Sequence, residues 1–111
     1  MNSKPSLELI YSYEPTGKCP VQAEGTLNGL PFYFRSRGSH WTLYVAPSKR
    51  GDYFDKKAWR HSEPYDGVNA KIDVEINDGR IFAAGLAEED ECKKFIDKAA
   101  KIYTMEHTNK L

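Results

Sequence analysis

The sequence predicts an α+β fold: a mostly antiparallel sheet of about five or six strands, a meander plus a further hairpin, with one C-terminal amphipathic helix packed on its apolar face. Three observations carry that prediction. Asn28-Gly29 and Gly38-Ser39 each separate runs of alternating polarity, as two-residue hairpin turns do. A further alternating run, Lys71 to Ile76, ends in a turn at Asp78-Gly79. After Gly85-Leu86-Ala87 the apolar period changes from two residues to steps of three and four.

Each element has its own signature. Leu7 to Tyr13 is rich in strand formers, and Glu14-Pro15-Thr16-Gly17 supplies a turn in which Gly17 takes positive φ. Val21 to Leu27 and Leu30 to Arg37 flank Asn28-Gly29, which suits a type I′ turn; Gly38 stands where a type II′ turn needs glycine, and His40 to Pro47 returns as the next strand. Multiplying out these registers places Val21, Ala23, Gly25, Leu27, Leu30, Phe32, Phe34, Ser36, Trp41, Leu43 and Val45 on one face. Gly25 and Ala23 opposite Phe32 and Phe34 match small volumes to large ones. The other face receives Gln22, Glu24, Tyr33, Arg35, Arg37, His40, Thr42 and Tyr44. Ser48 to Ala70 is charged and turn-forming, punctuated by Tyr53, Phe54, Trp59 and Tyr65. A loop beyond roughly 12 to 15 residues is uncommon, so this stretch is either a functional loop pinned by its rings or an unrecognised strand. Lys71 to Ile76 and Arg80 to Ala84 form the last hairpin. Glu88, Glu89 and Asp90 open the helix at its positive end, lysines follow, and Cys92, Phe95, Ile96, Ala99, Ile102 and Tyr103 form its stripe. Thr104 to Leu111 is expected to fray.

With 111 residues, 40% hydrophobic and 13% aromatic, the chain suits a single domain over residues 1–111, with flexible ends at 1–6 and 105–111. A multidomain enzyme and a disordered chain are excluded. Sixteen Lys and Arg balance sixteen Asp and Glu, so no net field draws it to DNA, RNA or an anionic membrane, and it is no acidic DNA mimic. Residues 1–20 hold no apolar run of signal-peptide length, and nothing approaches a membrane span. Cys19 and Cys92 read as thiols. A cytoplasmic protein without a cofactor is the expectation.

Catalytic motifs are lacking. There is no phosphate-cradling glycine loop, and Cys19, His40, His61, Cys92 and His107 show no zinc spacing. A small hydrolase using Cys19 or His40 could be drawn from Cys19, Ser39, His40, His61 and an aspartate, but spacing brings no base to a nucleophile. No catalytic or metal residue is assigned. The binding candidates are Tyr33, Arg35, Arg37, His40 and Tyr44 on the polar sheet face, with Trp59 and Tyr65 at its rim or on a homodimer seam. That face could also stack unpaired bases, although it lacks the RNA-recognition signature and the neutral total charge disfavours nucleic acid. A bland alternative is a solvated sheet face on which Glu24 pairs with Arg35 across strands.

The block from Tyr13 to Gly25, continued by Phe32-Tyr33-Phe34-Arg35-Ser36-Arg37 and Trp41, resembles one in small uncharacterised accessory proteins of bacteriophages and prophages. It covers about a third of the chain, and Trp59 to Asp66 matches that group's second block only loosely. The resemblance implies a mobile-element protein in a bacterial cytoplasm. Such a protein is expected to dock on a host or phage protein, inhibition of a defence complex being one consequence.

Overall fold

The computed structural model describes residues 7–18, 20–70 and 83–108. Five antiparallel strands form one open sheet in sequence order: β1 Leu9–Thr16, β2 Val21–Leu27, β3 Leu30–Arg37, β4 His40–Val45 and β5 Trp59–Pro64. A short 3₁₀ turn, Ala83–Leu86, leads to helix α1, Glu89–Thr108. The fold is α+β, as expected.

Local backbone chemistry sets the register. Asn28 and Gly29 take φ of 50° and 84°, and Gly38 takes 65°, values that favour glycine or asparagine because a Cβ crowds the following carbonyl. These reversals pair Leu27 with Leu30, Ala23 with Phe34, Phe34 with Leu43 and Ser36 with Trp41. The inner face is therefore Val21, Ala23, Leu27, Phe32, Phe34, Trp41, Leu43 and Val45, all buried. Cys92, Ile96, Ala99 and Ala100 of α1 complete this core, and Phe95 stacks on Trp41 with ring centroids 5.1 Å apart. Ser36, the one buried polar residue among those described, donates to the Ala84 carbonyl at 2.6 Å and ties β3 to the 3₁₀ turn.

The helix is fastened at both sheet edges. Lys93 pairs with Glu14 of β1 and with Glu89 one turn back, while Lys98 donates to Glu63 of β5 at 2.8 Å and Trp59 Nε1 donates to Glu106 at 3.0 Å. At its start Glu91 reaches back to the Glu88 amide, 2.8 Å, the return half of a capping box.

Several elements differ from the sequence reading. β1 begins at Leu9 and runs to Thr16 through two register irregularities, with Gly17 at φ 88° as the turn needs. β5 stands inside the stretch read as irregular. Ala83 and Ala84 belong to the 3₁₀ turn rather than to a strand, and the rest of the expected hairpin, residues 71–82, lies outside the described residues, as does Cys19. The helix continues past Tyr103 to Thr108, with Thr104 Oγ1 donating to the Ala100 carbonyl at 2.9 Å.

Gly25 marks the tightest point of the sheet. A Cβ there would lie 1.9 Å from the Ile10 carbonyl oxygen and 2.9 Å from the Phe32 ring, so any side chain must part β1 from β2. Gly25→Ala is expected to cost about 3 kcal/mol in urea unfolding, the upper range for overpacking; an unchanged midpoint would show that the β1–β2 spacing is wider.

Candidate functional site

The outer face of the sheet forms rows across strands. One row is Gln22, Arg35, Thr42 and Ser62; a second is Glu24, Tyr33, Tyr44 and Arg60; a third is Arg37, His40 and Pro64. Over the second row folds the segment between β4 and β5. Its shape comes from two successive aspartate turns: Asp52 Oδ1 accepts from the Phe54 amide and Asp55 Oδ1 from the Lys57 amide, both at 2.8 Å. These turns lay Tyr53 and Phe54 on the sheet. Tyr33 is stacked between Tyr53, 5.3 Å, and Tyr44, 5.9 Å, and Phe54 meets Tyr33, Tyr44 and Tyr53 edge-on.

Glu24 anchors the covering segment. Its two oxygens accept from the Tyr53 hydroxyl at 2.6 Å and the Tyr13 hydroxyl at 2.9 Å, and Tyr33 donates to Gln22 at 2.6 Å. The carboxylate raises the Tyr53 phenol, chiefly through the hydrogen bond and then through burial. Tyr13 is pushed up to about 12, first by burial and then by the same carboxylate.

The expected pairing of Glu24 with Arg35 is absent: both Glu24 oxygens are turned to tyrosine hydroxyls. Arg35 Nε is buried without a hydrogen-bond partner, and among the described residues no carboxylate pairs with Arg35, Arg37 or Arg60. Residues 31–60 hold seven Lys and Arg against two Asp, and both aspartates turn an oxygen to the local backbone. The zero net charge thus conceals a basic face.

Sequence and structure place the candidate residues differently. Arg37 and His40 are exposed, and Arg35 and Tyr44 half-buried, on the outer face as expected. Tyr33 is the correction: it is 7% exposed and roofed by Tyr53, so it offers no ring to a ligand. Trp59 and Tyr65 do not rim this face. Trp59 projects to the helix side, edge-on to Tyr103 at 5.1 Å, and Tyr65 is buried with its hydroxyl on Glu91 at 2.6 Å; both are lids on the core. The residues missed are Phe54, 62% exposed, and Arg60. Together with Tyr44, Tyr53, Asp55, Lys56 and Ala58 they line a cleft of ≈160 Å³. The charge imbalance of residues 31–60 was the signal that could have found it.

Among the described residues the nucleophile and base candidates stand as follows. Ser39 Oγ lies 2.9 Å from His40 Nδ1, a contact between neighbours on an exposed turn, with no carboxylate orienting the imidazole among the described residues. The Cys92 thiol is pushed up to about 12, mainly by burial, which removes its nucleophilicity. Among the described residues no group of three or more His, Cys, Asp or Glu could hold a metal ion, and no helix is long and apolar enough to cross a membrane.

These features define an open-sheet α+β chain with a ring-roofed, arginine-rich outer face. No protein-family model matches it, and no curated protein or solved structure shows significant similarity.

The phenols give the roof a pH signature. Folding raises Tyr13 from its ordinary 10.0 to about 12, so its contribution is complete below pH 10 and fades as pH rises through 12. Tyr53→Phe is expected to remove one hydrogen bond, about 1 kcal/mol at neutral pH, and to make the alkaline loss shallower. Thermal unfolding followed against pH checks both; identical profiles would show that Tyr53 does not hold the segment down.

Proposed function

We propose that this chain is a non-enzymatic binding protein that docks on a host or phage protein through the outer face of β3, β4 and β5. The contact residues are Arg35, Arg37, His40, Tyr44, Phe54 and Arg60. One observation carries the reading: among the described residues no carboxylate pairs with the three arginines of this face, and one of them, Arg60, lines a cleft with Phe54, an aromatic ring left 62% exposed. Arginine and aromatic anchors dominate protein interfaces, and Phe54, although edge-on to three tyrosines, keeps most of its surface open to a partner. The resemblance to phage and prophage accessory proteins supplies the cellular context, with inhibition of a defence complex as a role such docking would serve.

Single-stranded nucleic acid is the second reading, favoured by the basic surplus of residues 31–60. The roof weighs against it. Tyr33, Tyr44 and Tyr53 already stack on one another, whereas base stacking needs ring faces open to a ligand.

The test is affinity capture from bacterial lysate with and without phage infection, using the wild-type chain and Arg35→Ala/Arg37→Ala. The variant is expected to lose a stoichiometric protein partner while its Tm stays within a few degrees, because neither side chain has an ion pair with any described residue to lose. Equal capture by the variant would exclude this face. Nuclease-sensitive material in place of a protein would favour the second reading.

A further inference from the structure

We infer that the segment this face receives is acidic: an extended stretch of a partner protein whose Asp and Glu carboxylates seat on Arg35 and Arg60 across β4. The inference rests on the docking reading above and adds the chemistry of the partner. Charge carries it. Guanidinium groups beside a low-dielectric ring cluster gain more from a carboxylate than they would in open water, and among the described residues none pairs with them. Glu24 is the sole carboxylate of β2, β3 and β4, and its oxygens are committed to Tyr13 and Tyr53. Asp52 and Asp55 each accept from the backbone of their own turn. Arg35 Nε is buried without a partner, while the residue as a whole stays half-buried on this face.

The floor between the two arginines fits an extended ligand. Thr42 and Ser62 stand between Arg35 and the solvent edge of β5, with Thr42 Oγ1 donating to Ser62 Oγ and Ser62 Oγ to the Trp41 carbonyl, both at 3.0 Å. These short side chains have local partners and raise no wall. Two strand spacings and one pleat repeat separate Arg35 from Arg60, about 12 Å between backbones, which an extended run of about four residues spans. At one end Phe54 and Tyr44 line the cleft of ≈160 Å³, room for one apolar side chain next to the acidic run. At the other end Arg37 extends the positive field.

Selection of a random peptide display library on the immobilised full chain tests this directly. Selected peptides are expected to be enriched in Asp and Glu and to bind about tenfold more weakly to Arg35→Gln/Arg60→Gln. Lys101→Gln, which removes a charge from the exposed side of α1, is expected to leave binding unchanged. Peptides without acidic enrichment whose binding is lost in Phe54→Ser would overturn the acidic assignment and leave the docking face standing. Peptides indifferent to every substitution on this face would overturn both. Failure to select any peptide, or a labelled dT oligonucleotide outcompeting the acidic peptides, would overturn the assignment as well.

Discussion

Register is the constraint on which the rest depends. In a strand successive side chains leave on opposite faces, so slipping β3 by one residue against either neighbour would carry Phe32 and Phe34 into water and Tyr33 and Arg35 under the helix. The turns forbid that slip, because the left-handed backbone at Asn28, Gly29 and Gly38 is available where these residue types stand and is costly one position away. Burying Phe32, Phe34, Trp41 and Leu43 beneath α1 is thus the consequence of a few backbone angles. The arginines are outside for the same reason.

The outer face is a small second core rather than a wetted sheet. Aspartate turns deliver Tyr53 and Phe54, Glu24 fastens Tyr53, and Tyr33 disappears beneath them. Two consequences are coupled. Fastening the segment turns the Glu24 carboxylate toward Tyr13 and Tyr53 rather than Arg35, and the same segment presents Phe54 to solvent next to Arg60. Tyr33 and Tyr53 are packed within the roof, whereas Tyr44 and Phe54 belong to the same cluster and also keep surface at the solvent.

Much of this was legible in the chain. Alternation and two turn motifs gave every pairing from Val21 to Val45, and the three-and-four spacing gave the helix. What escaped has physical causes. β5 reads Trp-Arg-His-Ser-Glu-Pro, polar on both faces, because His61 and Glu63 look toward the helix and are satisfied there by each other and by Lys98; no alternation remains to reveal it. Trp59 and Tyr65 follow β5 to the helix side, which a loop reading cannot anticipate. Tyr33 looked exposed because periodicity assigns a residue to a face but does not say what covers that face. The basic patch was hidden by a total of zero, since its surplus is matched by acids elsewhere in the sequence.

Proton–proton contacts across the sheet, measured by nuclear Overhauser effects in the intact chain, test the two-faced arrangement most directly. The account predicts contacts from Trp41 to Phe95 on one side and from Tyr33 to Tyr53 on the other, with the Arg35 side chain showing none to Ile96 or Ala99. Contacts joining Arg35 to the helix, or Tyr33 free of Tyr53, would contradict it.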